Sequence, residues 1–477
     1  MQKKTSEVRQ AFKWTLYLRS ISQVTTWLVS LIVIRFLTPE DYGLVALTEI
    51  VFMLVLQVSS AGLGDAVIQR SGNDEEFNRK ILSILIILTA SMSTLLFLAA
   101  PFIANYYQQP TLSLIFRISS LVFLVLPWLV ISSSLLAKKM NFKSRGKVDL
   151  YAAVFCSLLS LLLAYSGFGF WSLIIASLTN IIIRAVGYNI CLGKFYLPLF
   201  VFKDMAAPFK FGITVASTSF LFGVFMKLDV FIVSNTLDAK DLGYYALAMH
   251  LAILPMVKIM PLINEVAYPM YARIKSNTEE CKSKLLYILR VTSFITFPAF
   301  FIFSSTSAEI VNLLLGEKWR PASVLLEIIV LTIPFRMLSN LFTPMLKALG
   351  HPQTGLQHVT FSCFVVAVAF IIAAPYGLTM IALAWLVVTP LILSFALTLC
   401  TKKSGVSLQN LLKTFTLPVV LSIATLLLIH LAHRYLTGNM PDIYSIAFKV
   451  ILGTAIYLLL SIMFNKEQLK EVARFRL

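Results

Sequence analysis

Apolar runs of about twenty residues, divided by short polar punctuation, recur along the chain. At 1.5 Å per residue a helix of that length covers roughly 30 Å, the thickness of a bilayer's hydrocarbon core. Fourteen such windows are read, at 11–34, 43–64, 81–104, 112–136, 149–166, 169–192, 209–236, 243–266, 285–308, 322–346, 358–375, 378–400, 412–432 and 444–464. The fifth and sixth are divided only by SGFG and the eleventh and twelfth only by YG, which predicts tight helical hairpins. The pattern therefore predicts an all-α polytopic membrane protein with fourteen transmembrane helices. Its short loops leave no room for a soluble nucleotide-binding or glycosyltransferase domain, so any transport runs without an attached ATPase.

Two phrases are written twice. LTPEDYGLVAL at 37–47 returns as LDAKDLGYYAL at 237–247, and NDEEFNRKILSIL at 73–85 returns as NTEECKSKLLYIL at 277–289. In each case the first echo precedes the second helix of a six-helix set and the second follows it. Helices 1–6 and 7–12 thus read as two copies of one unit. An even helix number gives both copies the same orientation, with a pseudo-two-fold axis along the membrane normal. The predicted organisation is an N-lobe at 1–200, a C-lobe at 201–403, and an appended hairpin of helices 13 and 14 with a tail at 404–477. Within the first phrase, Pro39, Glu40 and Asp41 suit a helix start, and Asp41 and Asp241 are assigned a capping role.

Composition agrees and adds a direction. Of 477 residues 58% are hydrophobic, and the formal net charge is +18. A nucleic-acid partner is one reading of such basicity, but most of the 40 Lys and Arg fall in the even-numbered loops and the tails. Only Arg35, Lys240, Lys318, Arg320 and Arg434 fall in the odd-numbered loops. That asymmetry predicts cytoplasmic N- and C-termini and makes the charge an orientation signal. The first window is too long for a signal-peptide core and stays as helix one. Cys156, Cys191, Cys281, Cys363 and Cys400 form no CxxC or His/Cys cluster, so neither a disulfide nor a structural metal is expected. No cofactor is expected.

Charges inside the windows point to a polar route. A Lys or Arg near the centre of a membrane helix costs about 2.5–3.5 kcal/mol on insertion scales. Lys258 and Arg336 lie too deep for snorkelling alone. Arg336, Asn340, Thr343 and Lys347 share one helix face, and Arg19, Gln23, Thr26 and Ser30 share one face of helix one. Arg117, Arg184 and Lys449 sit nearer an interface, where a reach to the headgroups explains them. Lys227 and Asp229 are two apart and point to different sides, so Asp229 needs a partner on another helix or a proton. Asp229 and Glu49 are the candidates for ion coupling. The prolines at 127, 255, 298, 334 and 390 interrupt windows and are read as permissive kinks. No arrangement of carboxylates, no Ser/His/Asp set and no Gly-rich phosphate loop suggests catalysis, so the chain is read as a transporter and not an enzyme.

RFLTPEDYGLVAL, GLGDAVIQR, FKSRGKVDLYAA and AYSGFGFWSL, all within the first 175 residues, resemble the polysaccharide-export branch of the multidrug/oligosaccharidyl-lipid/polysaccharide (MOP) exporter superfamily. The likeness is to Wzx-type flippases of the colanic acid exporter kind and covers helices 1–12. It implies a MATE-like fold in the bacterial inner membrane. It also implies transfer of undecaprenyl-pyrophosphate-linked oligosaccharide to the periplasmic leaflet for lipopolysaccharide or exopolysaccharide, through rocking of two lobes about a central cavity. Polysaccharide polymerase or assembly proteins are the implied membrane partners. On this reading Arg19, Lys258 and Arg336, with Arg117 and Lys227 second and Gln23 and Asn340 beside them, bind pyrophosphate or acidic sugars in a cationic cavity. The alternatives are an ion-coupled multidrug antiporter of the same superfamily, whose cleft would carry acids and aromatics, and a membrane glycan polymerase or ligase, which would need a sizeable outside loop.

Overall fold

The computed structural model describes residues 22–23, 25–60, 62–70, 74–203, 205–351, 353–436 and 440–473. It divides into two compact units, Met1–Asn235 and Thr236–Leu477. The first holds α1 (Thr25–Phe36), α2 (Pro39–Ser60), α3 (Leu63–Gln69), α4 (Glu75–Tyr106), α5 (Thr111–Val122), α6 (Leu126–Lys138), α7 (Phe142–Tyr165), α8 (Trp171–Leu192) and α9 (Ala206–Val233). The second holds α10 (Ala239–Ile274), α11 (Thr278–Ser305), α12 (Ser307–Leu315), α13 (Arg320–Val330), α14 (Ile333–Ala348), α15 (Gln353–Ala373) and α16 (Leu378–Ser404). It continues with α17 (Leu408–Lys413), α18 (Thr416–Leu436), α19 (Asp442–Phe464) and α20 (Lys466–Ala473). No strand occurs among the described residues.

Among those residues nine helices are long and apolar enough to cross a membrane, or eleven if two bent pairs each count as one span. The remaining expected windows fall on α1, α2 and α9, which are also helical. Large apolar side chains cover outer faces at helical spacing: on α7, Tyr151, Phe155, Leu158, Leu162 and Tyr165 are all exposed. So continuous a face is stable where it meets hydrocarbon. The chain is a multi-pass membrane protein.

Backbone punctuation recurs in both halves of the chain. Two helices are broken, α5 to α6 by 46° and α13 to α14 by 45°, and each distal segment starts with a proline in its first turn, Pro127 and Pro334. Positive φ occurs at Gln108, Met140, Gly167 and Gly193 in the first half and at Gly316, Gly350, Gly377 and Gly405 in the second. These are the places where a helix must stop and the chain reverse, and a left-handed residue does that in one step.

The helix starts are built from the echoed phrases. At α2, Thr38 and Asp41 form a capping box: the Asp41 N–H donates to Thr38 Oγ1 at 3.1 Å, and Asp41 Oδ2 accepts from the Thr38 N–H at 3.0 Å. Asp41 Oδ1 also accepts from the Phe170 N–H at 3.1 Å, which ties the α7–α8 turn to the start of α2. At α10 the side-chain cap is Asp238, which accepts from the Asp241 N–H at 2.7 Å; Asp241, expected to cap, supplies only its backbone. Asp74 caps α4 through the Phe77 N–H, and Asn277 caps α11 through the Glu280 N–H. The Phe77 N–H foremost, and then Arg70, hold the Asp74 carboxyl below the usual carboxylate range.

Two groupings differ from the lobes expected above. The seventh long helix, α9, groups with the first unit because it packs along α2 and α3. The segment after residue 404 belongs to the second unit, because α18 and α19 pack on α11 and α12.

Candidate functional site: charged side chains within the spans

In the first unit two of the membrane-embedded cations, Lys227 and Arg184, are paired across helices. Lys227 on α9 reaches Glu49 on α2, with Nζ 2.7 Å from Oε2. One candidate anion-binding residue is thus neutralised by a candidate coupling residue, although Glu49 stays 59% exposed. Asp229, two residues along, is buried, in keeping with the different faces expected for the pair. Arg184 donates to Asp149 at 2.9 Å, and the Tyr188 hydroxyl donates to the same carboxylate oxygen. The sequence does not announce the role of Asp149, because Arg184 lies on the next helix, 35 positions along, and the two meet only where α7 and α8 pack.

The other candidates of this unit are less committed. Arg19 lies outside the described residues. Gln23 is half-buried; on the same helix Thr26 donates to the Ser22 carbonyl and Ser30 to the Trp27 carbonyl, so both hydroxyls are satisfied within their own helix. Arg117 is exposed on α5, its guanidinium 5.4 Å from the Phe97 ring centroid and flanked by exposed Leu114, Ile118 and Leu121. Those neighbours suit a side chain that reaches along an apolar surface.

In the second unit α14 carries the stripe. Its opposite face, including Met337, Leu338, Leu341, Phe342 and Met345, is buried. Along the open edge Asn340, Thr343 and Lys347 are exposed and Arg336 is half-buried. Asn340 Nδ2 donates to the Arg336 carbonyl at 2.8 Å, and Lys347 lies 5.8 Å from the Tyr268 ring centroid on α10. The Arg336 guanidinium lies over the indole of Trp385 on α16, 4.5 Å from its centroid, and Nη1 is 3.8 Å from Met249 Sδ on α10. Lys258, also on α10, is half-buried.

A second charge cluster was misread. Lys449, expected to reach an interface, is buried on α19 and pairs with buried Glu309 of α12. Its Nζ also donates to the Ser305 carbonyl at 2.8 Å, and Ser445 donates to Glu309 Oε1 at 2.8 Å. Further along, Arg290 makes a two-pronged contact with Glu471 at 2.7 and 3.0 Å, and Ser293 donates to the Thr414 carbonyl at 2.7 Å. These groups fasten α19, α20 and the turn between α17 and α18 to α11 and α12. No periodicity links residues 140 positions apart, so the sequence holds no signal for this pair.

Residues 32–324, well over half of the chain, match the family described as "Polysaccharide biosynthesis protein". The chain belongs to this family. Among similar proteins, the lipopolysaccharide biosynthesis protein WzxC of Escherichia coli (strain K12) is 24% identical over 420 residues, covering 85% of this chain and 83% of WzxC. The succinoglycan biosynthesis transport protein ExoT of Rhizobium meliloti (strain 1021) is 23% identical over 321 residues, covering 67% of this chain and 65% of ExoT. The fold is similar to that of a solved structure of lipid II flippase MurJ in an inward closed conformation. The TM-score is 0.76 at 15% identity, over 95% of this chain and 99% of MurJ. The polytopic helical fold expected from the sequence is therefore the fold found.

Proposed function

We propose that this polysaccharide biosynthesis family member is a flippase. It moves oligosaccharide repeat units linked to undecaprenyl pyrophosphate from the cytoplasmic to the periplasmic leaflet of the bacterial inner membrane, with both termini in the cytoplasm. The lipid tail is already soluble in hydrocarbon, so only sugar and pyrophosphate need a polar route. The observation that carries the reading is the open edge of α14, where Arg336, Asn340, Thr343 and Lys347 interrupt an otherwise apolar span. Exposed polar groups at that position suit water or a hydrophilic cargo and not lipid.

In this reading Arg336 and Lys258 meet the pyrophosphate or an acidic sugar, for which cationic donors are well matched. Asn340 is an auxiliary contact on the same edge of α14, and Gln23 is the candidate of the first unit. Lys227 acts with Glu49 as a pair that must part before Lys227 can meet an anion, and Asp229 is the remaining candidate for ion coupling. The similar proteins named for lipopolysaccharide and succinoglycan biosynthesis, and for flipping lipid II, support the substrate class.

The test is complementation of a deletion strain with Arg336→Ala and Lys258→Ala at matched expression. A hydrogen bond to a charged group is worth about 1.5–3 kcal/mol, so each loss corresponds to roughly a 10- to 150-fold drop in affinity and a clear fall in surface polysaccharide. Normal polysaccharide in both variants would sink the assignment. Normal glycan together with altered drug susceptibility in the deletion strain itself would favour the antiporter.

A further inference from the structure

We propose that Arg184 and Asp149 form a sugar-binding site within the first unit, where hydroxyls of the cargo's glycan meet the pair; this rests on the flippase reading above. Both helices that carry the pair have two open faces. On α7 the exposed stripe of Tyr151, Phe155, Leu158 and Leu162 suits lipid, while Asp149 and Ala153, one turn apart on the opposite side, are half-buried. Buried Ala152 and Ser157 divide the two faces. On α8 Ile182, Val186 and Ile190 are exposed, and on the opposite side Ser177 is exposed and Arg184 half-buried. Buried Ala176 lies on one flank of α8, and buried Leu178 and Ala185 on the other. A second open face that carries Asp, Arg and Ser within a span suits water and not hydrocarbon. Arg184, expected to reach the headgroups, turns instead to Asp149 and Tyr188.

The pair is fixed from its inner side. Fully buried Tyr188 donates its hydroxyl to Asp149 Oδ1 and accepts from Arg184 Nε at 3.2 Å and Nη2 at 3.1 Å, and Nε also lies 2.9 Å from that Oδ1. Among the described residues no hydrogen bond uses Arg184 Nη1 or Asp149 Oδ2, and the two side chains are 35% and 37% exposed. The site therefore offers N–H donors and a carboxylate acceptor with no net charge across the pair. An anion would be drawn by the guanidinium and repelled by the carboxylate, whereas a neutral polyol meets no such conflict. A sugar hydroxyl both donates and accepts, so hydroxyls of one ring can give a hydrogen bond to Oδ2 and take one from Nη1. The chemistry fits the uncharged hydroxyls of the glycan and not its pyrophosphate linkage.

Two lipids test the site on the purified full-length protein, with binding read by thermophoresis: undecaprenyl pyrophosphate without sugar, and the lipid-linked oligosaccharide extracted from the deletion strain. Arg184→Lys keeps the cation and loses Nη1, and Asp149→Asn keeps the shape and loses the anionic acceptor. Each should weaken the sugar-bearing lipid by about 10-fold or more, the scale of one hydrogen bond to a charged group, and leave the sugar-free lipid within about twofold of the parent. Ala153→Leu crowds the same open face and spares both charged groups. It should act as the pair variants do, and it decides the matter if they do not purify. Parent-like binding of the sugar-bearing lipid by these variants, or an equal loss for the two lipids, would overturn the sugar site. If Arg336→Ala then weakens both lipids, the flippase reading stands without it. Should the parent protein bind neither lipid, the flippase reading falls and the sugar site with it.

Discussion

Removing the Glu309 carboxylate by Glu309→Leu strands the Lys449 ammonium where its side chain is only 7% exposed and Glu309 only 9%. Deleting one partner of a buried ion pair typically costs about 3–5 kcal/mol, because the surviving charge has lost both water and its counter-ion. The Ser305 carbonyl still accepts from Nζ and softens the loss, although the Ser445 hydroxyl loses its Glu309 acceptor, so the lower end, about 3 kcal/mol, is the better expectation. For a unit of this size each kcal/mol moves the midpoint by roughly 2–4 °C, which puts the shift near 6–12 °C in a detergent thermal-unfolding assay. The reciprocal Lys449→Met should cost a comparable amount. The double variant, which leaves no buried charge, should recover most of the loss, as replacing both members of a buried pair by apolar groups is often near neutral. A midpoint within about 2 °C of the parent for both single variants, or a double variant as unstable as the sum of the two, would refute the view that the pair is a desolvated tether.

Three further outcomes follow from the geometry. Glu49→Ala and Lys227→Ala should each alter stability by no more than about 1 kcal/mol, since Glu49 is largely exposed; a charge exchange, Glu49→Lys with Lys227→Glu, should restore whatever melting temperature the singles lose. At Gly453 an added Cβ would stand 2.7 Å from Ile429 Cδ1 and 2.8 Å from Ile302 Cγ1, so Gly453→Leu should overpack the seat of α19 and cost about 1–3 kcal/mol in the same unfolding assay. Asp74→Ala should remove the cap of α4 at a cost of about 1 kcal/mol. Because the Asp74 carboxyl titrates lower in the folded protein than in the unfolded chain, its contribution is complete above the ordinary aspartate range near pH 4 and is lost as pH falls through the folded value. Hydrogen exchange at the start of α4 should therefore quicken on acidification in the parent and show no such added step in the variant.

The amino-acid sequence by itself determined the parts of this protein that depend on local chemistry. Apolar length specified where helices lie, because a backbone in hydrocarbon has no other way to satisfy its N–H and C=O groups. The echoed phrases specified helix starts, since a side-chain cap opens α2, α4, α10 and α11, and Pro127 and Pro334 each open a segment after a bend. The face shared by Arg336, Asn340, Thr343 and Lys347 was legible too, because helical geometry relates residues three and four apart without knowledge of any neighbour. Only the tertiary structure decided what those side chains meet. It placed Lys227 against Glu49, buried Lys449 with Glu309, grouped α9 with the first unit and set Trp385 beside Arg336. Each of these joins helices distant in sequence, and an amphipathic pattern states that a face needs a partner without stating which helix supplies it.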